Sequence, residues 1–147
     1  MSKFQGDSTN VEELPSLLKD LSFRISEKAE ISNNNVFCQY IQVGAEGKVA
    51  KHYDAGLPNY ITYKCNICIS GPEVDVLFID DKKFDLNIGD LYCFEANFYK
   101  HWMEESKVPR VLLSYGFILP IEELGYSQSD SRVRLSNRIW ASFIKNK

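Results

Sequence analysis

The sequence predicts a mainly β protein of the jelly-roll class with a helix at each end, and two observations carry this prediction. Eight short runs rich in β-branched and aromatic residues follow one another between residues 36 and 120, separated by turn signals. The segments before and after these runs carry helical spacings instead. Because about eight short antiparallel strands commonly form a jelly roll, we expect this architecture for the central part of the chain.

The first element is a predicted helix over residues 11–30. Apolar residues recur there at spacings of three and four, which places them on one face of a helix. They are Leu14, Leu17, Leu18, Leu21 and Ile25. Pro15 lies near the start of the pattern, where a helix tolerates proline. The polar residues 32–35 then predict a loop.

The central strands and the C-terminal segment complete the predicted domain. The strands are expected at residues 36–43, 48–54, 59–70, 74–80, 82–87, 90–95, 99–105 and 110–119. Residues 121–147 form a mixed segment that ends in a second helical pattern, with Leu135 and Ile139 four positions apart. We see no internal repeat and no linker, so residues 1–147 predict a single domain with its core at 36–120.

Composition and charge disfavour several functional classes. Hydrophobic residues make up 44% and charged residues 25% of the chain, which is ordinary for a folded globular protein. A net charge of −3 and a pI near 5.4 disfavour nucleic acid as a partner, because such domains usually carry a basic surface. The N-terminus has no apolar signal-peptide core, and no run of 18 or more apolar residues occurs. We therefore expect a cytoplasmic protein without a membrane partner, and the sequence does not indicate its oligomeric state.

The four cysteines, Cys38, Cys65, Cys68 and Cys93, are expected to be reduced thiols in a chain without an export signal. Cys65 and Cys68 form a C-x-x-C motif, which elsewhere suits a zinc or redox site. Residues three apart on a strand point to opposite faces, so these two thiols cannot easily share one metal. We therefore interpret them as buried strand cysteines.

The chain contains two histidines, His52 and His101, each in or beside a predicted strand. A lone histidine is more often a surface or hydrogen-bonded core residue than a metal ligand. However, Asp54 follows His52 by two positions, and on an extended strand such side chains share one face. Two histidines and one carboxylate on a single face leave the opposite positions of an octahedral iron open. Antiparallel strands can bring His101 alongside as the third ligand, so these three residues predict a metal site.

Arg110 follows His101 by nine positions, after a turn-like segment, and should begin the next strand. Its planar guanidinium suits bidentate binding of a carboxylate. An arginine on a solvated edge strand is the plainer interpretation. The run 110–119 is strongly apolar, however, and a charge in such surroundings needs a partner.

This ordered set resembles the Fe(II)- and 2-oxoglutarate-dependent oxygenases, which are double-stranded β-helix proteins with a cupin-like jelly roll. Within that superfamily, the stretch 50–120 is most similar to the aspartyl/asparaginyl β-hydroxylases and the bacterial proline hydroxylases. The motifs that carry the resemblance are H-x-D at 52–54, the Gly89-Asp90 turn, His101 and the segment 109–114. The resemblance covers about half of the chain, and the ordered set is far more specific than H-x-D alone.

The resemblance implies an enzyme, a dioxygenase that binds Fe(II) through His52, Asp54 and His101. It further implies that Arg110 holds the far carboxylate of 2-oxoglutarate and that the reaction is a hydroxylation releasing succinate and CO2. The substrate would be an amino acid, another small metabolite or a protein side chain.

Two more residues are candidates for binding 2-oxoglutarate. The hydroxylase group commonly has R-x-H on the strand after the first ligand, and this chain has Lys64-Cys65-Asn66 there. Lys64 could supply a second positive charge to the co-substrate, or it could lie on the solvent face of its strand. Ser114 shares the face of Arg110 by strand parity and could also contact the co-substrate.

Three alternatives remain at this point. A cupin of another kind would usually present H-x-H and a following glutamate, and this chain has no H-x-H. A non-catalytic or regulatory domain that binds a metal or ligand would be expected to have lost at least one ligand residue. A purely structural β-sandwich leaves the joint placement of both histidines, Asp54 and Arg110 unexplained.

Overall fold

The computed structural model of the protein describes residues 8–32 and 35–147, with side chains described from residue 16 onward. The elements in chain order are α1 (Ser8–Ala29), β1 (Val36–Val43), β2 (Val49–His52), β3 (Tyr60–Ser70), β4 (Asp75–Ile79), β5 (Lys82–Leu86), β6 (Leu91–Glu95), β7 (His101–Met103), β8 (Arg110–Pro120) and α2 (Ser131–Lys145). A turn of 3-10 helix at Ile121–Leu124 follows β8. Neither of the two α-helices in the described ranges combines the length and the apolar character needed to cross a membrane.

The strands form two four-stranded sheets. The first sheet has the order β1-β8-β3-β6, and the second has the order β2-β7-β4-β5. All neighbouring strands are antiparallel. The chain alternates between the two sheets, except where the β4–β5 hairpin stays within the second sheet. This strand order is that of a jelly roll, or double-stranded β-helix, and it confirms the predicted fold class.

Each predicted run contains one observed strand, and the differences lie at the strand ends. The run expected at 48–54 ends as β2 at His52, so the prediction that Asp54 continues the strand is wrong. The physical reason is a change of partner, because the Asp54 N–H donates to the Ala96 carbonyl, which belongs to a turn. The run expected at 99–105 shortens to His101–Met103. Both predicted helices are present, with α1 beginning three residues earlier than expected.

Some predicted features of the N-terminal region fall outside the described part of the chain. The side chains of Leu14 and Pro15 are among them, as are residues 33–34 of the expected loop. Among the described residues of α1, Leu21 and Ile25 face the first sheet across a groove, whereas Leu17 is exposed. The predicted apolar face of this helix is therefore only partly covered.

The protein has one apolar cluster between the sheets and a second outside the first sheet. The inner cluster consists of Cys68, Leu77, Leu86, Met103 and Leu112. The outer cluster consists of Ile61, Phe98, Ile121 and Val133, and it packs α2 against the sheet. Cys68 belongs to the inner cluster, while Cys65 is the cross-strand partner of the exposed Cys93. The two cysteines of the C-x-x-C motif thus point to opposite faces as predicted, and both are free thiols.

Asn97 fixes the turn that precedes β7. Its buried side chain accepts a hydrogen bond from the Thr62 N–H (2.9 Å) and donates to the Tyr60 carbonyl (3.0 Å) and to Ser136 Oγ (2.8 Å). The turn is therefore tied to β3 and to α2 at once. Because His101 begins β7 directly after this turn, the network also positions that histidine.

Candidate metal centre

Three predicted ligands come together at one end of the second sheet. His52 is the last residue of β2 and His101 is the first residue of β7, and the two are direct cross-strand partners. Asp54 lies in the irregular segment that follows β2. One ligand atom from each side chain lies within 4.8 Å of the other two, which is a separation that a single metal ion can bridge. The structure thus brings the expected ligand set together.

The orientation of each histidine is fixed by a backbone carbonyl. Nδ1 of His52 lies 2.6 Å from the Ala50 carbonyl oxygen, and Nδ1 of His101 lies 2.9 Å from that of Tyr99. A carbonyl oxygen can only accept, so each Nδ1 carries the proton and donates it. The Nε2 lone pairs are left facing Asp54 Oδ1, at 3.2 Å for His52 and 3.4 Å for His101. This is the arrangement that metal-bound histidines usually adopt.

The two oxygens of the Asp54 carboxylate have different partners. Oδ1 faces the two imidazoles, and Oδ2 accepts a hydrogen bond from the Lys64 ammonium at 3.1 Å. Burial raises the pKa of Asp54, but the neighbouring His101 and the Lys64 ammonium, through its charge and its hydrogen bond, outweigh that effect. The net result is a pKa well below the usual range of an aspartate, so the carboxylate is ionised at neutral pH, as a metal ligand must be.

A small cavity of about 130 Å³ lies beside the triad, between the two sheets. Its polar lining residues are His52, His101, Lys64 and Asn66, and its apolar and aromatic lining residues are Ile41, Val49, Leu77, Tyr92, Phe94, Trp102, Met103 and Leu112. The Phe94 ring meets the His101 ring edge-on, with the centroids 4.8 Å apart. The cavity is smaller than the pockets of about 300–1,000 Å³ that hold drug-sized ligands, so it suits a metal with a small co-substrate.

Lys64 is the cation that lines this cavity. Its side chain points between the sheets and is only 11% exposed, so it does not lie on the solvent face of its strand. The choice left open by the sequence is thereby decided in favour of a position at the site. Strand parity alone could not decide where Lys64 lies. Parity divides the side chains of a strand between two faces, but it does not show which face the second sheet covers.

Arg110 lies away from the triad, and its position argues against the expected contact with a co-substrate. Its Nε is 2.7 Å from Asp75 Oδ2, and its terminal nitrogens donate to the carbonyls of Gly47 and Glu104. Asp75 begins β4, whereas Ile79, which pairs with His101, ends it. Four residues along a strand span about 13 Å. Arg110 does have the partner that its apolar surroundings require, but that partner is a carboxylate of the protein.

Ser114 is fully buried and does not line the cavity, although its cross-strand partner Asn66 does. Asn66 Nδ2 donates to the Tyr92 hydroxyl at 3.0 Å. Within the described residues, Asn66 Oδ1 and Ser114 Oγ are buried without a hydrogen-bond partner. Such atoms are rare in folded proteins, and a water molecule or another polar group would satisfy them. Sequence reasoning missed Asn66 and Tyr92, because nothing distinguishes them from other strand residues until the sheets are assembled.

Comparisons with known proteins identify no family for the chain. No model of a protein family matches it, and no curated protein does. Among solved structures, a predicted oxalate decarboxylase from Thermotoga maritima is 14% identical, with a TM-score of 0.47 over 64% of this chain and 74% of that one. A double-stranded β-helix protein of uncharacterized function from Klebsiella pneumoniae is 15% identical, with a TM-score of 0.45 over 59% of this chain and 69% of that one.

A DMSP lyase from Ruegeria pomeroyi is 11% identical, with a TM-score of 0.46 over 56% of this chain. The matched part makes up 38% of the lyase chain. Likenesses of this size carry no argument about activity. The fold rests on the strand order, and the metal centre rests on its own geometry.

Proposed function

We propose that the protein is an Fe(II)- and 2-oxoglutarate-dependent dioxygenase that hydroxylates an amino acid, another small metabolite or a protein side chain. The observation that carries the proposal is the convergence of His52 Nε2, His101 Nε2 and Asp54 Oδ1, with both imidazoles held in the ligating tautomer. Two histidines and one carboxylate on one face form the donor set of non-haem Fe(II) oxygenases. The family resemblance of the ordered motif supports the same assignment.

The residues present fit such a metal. Imidazole and carboxylate are suitable donors for Fe(II), and the ionised Asp54 supplies a negative charge to balance the cation. Structural zinc sites usually use four protein ligands, whereas the group found in the described residues has three. A three-ligand group leaves coordination positions for small molecules in the adjoining cavity.

Lys64 takes the role that the resemblance gave to Arg110. An ammonium has three donors, and one of them is engaged by Asp54. The remaining donors are available to a carboxylate in the cavity, and the buried polar atoms of Asn66 and Ser114 lie on the same interior face. We therefore assign Lys64 to the far carboxylate of 2-oxoglutarate.

The surrounding side chains keep this chemistry dry and oriented. When bound, iron together with 2-oxoglutarate and dioxygen would supply the oxidising power for hydroxylation of a C–H bond, with release of succinate and CO2. Leu77, Phe94 and Met103 form an apolar wall that limits the access of water to the cavity. Phe94 also packs edge-on against the His101 ring.

One observation favours a second candidate, a cupin-like domain that binds a metal or ligand without oxidising it. The Lys64–Asp54 contact places a positive charge where a metal would otherwise balance the carboxylate. A lysine that permanently replaces the metal would leave a stable fold without catalysis. Only the first candidate forms a complex of iron with 2-oxoglutarate, so one experiment separates the two.

The experiment is an anaerobic titration of chelator-treated protein with Fe(II), followed by 2-oxoglutarate, while visible absorption is recorded. The proposed enzyme shows the weak band that forms when 2-oxoglutarate chelates the iron, and His101→Ala lacks it. Succinate formation after admission of oxygen then reports turnover. Absence of the band from the wild-type protein would overturn the proposal in favour of the second candidate.

A further inference from the structure

The jelly roll has a second, larger cavity next to the metal centre. It is a cleft of about 540 Å³ between the edge strands β5 and β6, where the two sheets are not closed over each other. This volume falls within the range of pockets that hold small organic ligands. The cleft shares Leu77, Tyr92 and Phe94 with the cavity beside the triad. The two cavities are therefore neighbours across a single layer of side chains.

The floor and walls of the cleft are apolar and aromatic. Phe84 pairs with Leu77 across β5 and β4, so its ring points between the sheets, yet it is 43% exposed. Leu86, Tyr92 and Phe94 continue the same surface inward, and Phe94 ends against the ring of His101. A flat apolar group in contact with Phe94 would lie one ring away from a predicted metal ligand.

The rim of the cleft carries more negative than positive charge. Asp80, Asp85 and Glu95 line it, against Lys82. Asp85 also lies 3.7 Å from Lys83, which balances part of its charge. Glu95 accepts a hydrogen bond from the Tyr126 hydroxyl through one oxygen, at 2.8 Å, and the described residues show no hydrogen bond to its other oxygen. A ligand with a positive charge complements this rim, and aromatic faces favour cations as well.

We infer that the β5–β6 cleft binds the organic substrate of the enzyme, a small molecule with a flat apolar body and a positively charged amine. The apolar body packs against Phe84, Tyr92 and Phe94, and the amine lies at the rim near Glu95. The identification of this ligand as the substrate rests on the proposed function. The existence of the binding site and its preference for an amine over a carboxylate do not depend on the proposed function.

The test measures binding to chelator-treated wild-type protein by NMR titration, with 2-phenylethylamine as the probe and 3-phenylpropionate as the anion of similar shape. We expect the amine to bind at least about tenfold more tightly than the carboxylate. Phe84→Ala should weaken binding of the amine about tenfold, while Phe143→Ala, which removes an equally exposed phenyl ring on α2, should not. Glu95→Gln should reduce the preference for the amine over the carboxylate.

Equal binding of amine and carboxylate, or no effect of both Phe84→Ala and Glu95→Gln, would overturn the inference. Glu95→Gln changes one atom on a partly exposed side chain, so it serves if Phe84→Ala does not fold. Since no metal is present in this titration, its failure concerns the cleft alone. Failure of the iron titration described above concerns the proposed function alone.

Discussion

Nε of Arg110 lies 2.7 Å from Oδ2 of Asp75 in the interior of the protein, where the two side chains are 3% and 10% exposed. This ion pair joins the start of β8 to the start of β4, and so the first sheet to the second. The ion pair therefore stabilises the packing of the two sheets against each other. The following prediction distinguishes this role from one in co-substrate binding.

Arg110→Leu is expected to lower the free energy of unfolding by about 3–5 kcal/mol, because it leaves Asp75 as a buried charge without its partner. Urea denaturation measures the loss. The double variant Arg110→Leu/Asp75→Leu should recover most of it, since neither charge is then left buried alone. A single variant that is as stable as the wild type but binds 2-oxoglutarate more weakly would contradict this role.

Lys64→Met is expected to raise the 2-oxoglutarate concentration needed for half-maximal formation of the iron band by about tenfold or more. A hydrogen bond to a charged group contributes about 1.5–3 kcal/mol, and methionine retains the apolar stem without the donor. Lys51→Met is the matched control, because Lys51 is an exposed lysine that contacts Asp81 and Trp102. If both variants need the same 2-oxoglutarate concentration as the wild type, Lys64 does not hold the co-substrate.

Gly56→Ala is expected to destabilise the protein by about 1–3 kcal/mol and to weaken metal binding. A methyl group at this position would overlap the Asn97 side chain, which is held by several hydrogen bonds. Displacement of Asn97 would disturb the turn before His101, and the segment of Gly56 also carries Asp54. Gly44→Ala serves as the control, since nothing lies within 4 Å of a methyl group there. Thermal denaturation and Fe(II) titration of both variants check the prediction.

Asp130→Ala is expected to lower the melting temperature at pH 7 by a few degrees, because the Asp130 side chain caps α2 by accepting from the Arg132 N–H at 2.8 Å. Hydrogen bonds from the Arg132 side chain and backbone lower the pKa of Asp130 from its ordinary 3.8 to about 2. The folded pKa lies below the unfolded one, so the stabilisation is present above about pH 4 and is lost as the pH falls towards 2.

The difference in melting temperature between wild type and Asp130→Ala should therefore shrink between pH 4 and pH 2. Glu73→Ala, which replaces an exposed carboxylate outside the helices, is the control at each pH. A constant difference for Asp130→Ala down to pH 2 would show that its ionised form is not what stabilises the helix.

Local sequence patterns were sufficient to predict the strands and the three residues that the structure brings together. Runs of β-branched and aromatic residues with turn residues between them located all eight strands, and the H-x-D spacing with one further histidine located His52, Asp54 and His101. The end of β2 was misplaced because Asp54 exchanges a strand partner for the carbonyl of Ala96, a contact between distant residues. No local pattern contains such information.

The partner of Arg110 was missed for the same kind of reason. Its apolar surroundings correctly predicted that it needs a partner, but the partner, Asp75, lies 35 positions earlier in the chain on the other sheet. Asn66 is likewise recognisable as a lining residue of the cavity only after the two sheets assemble around it. Sequence order gives the residue types of the site, while sheet pairing decides which of them meet.

The contact between Lys64 and Asp54 has a consequence for how the protein is assembled in the cell. The Lys64 ammonium already balances the negative charge of the Asp54 carboxylate before any metal binds. Folding of the newly made chain would then not depend on the metal. Binding of a metal would be a separate, later event, and a shortage of metal would leave an intact protein instead of a misfolded one.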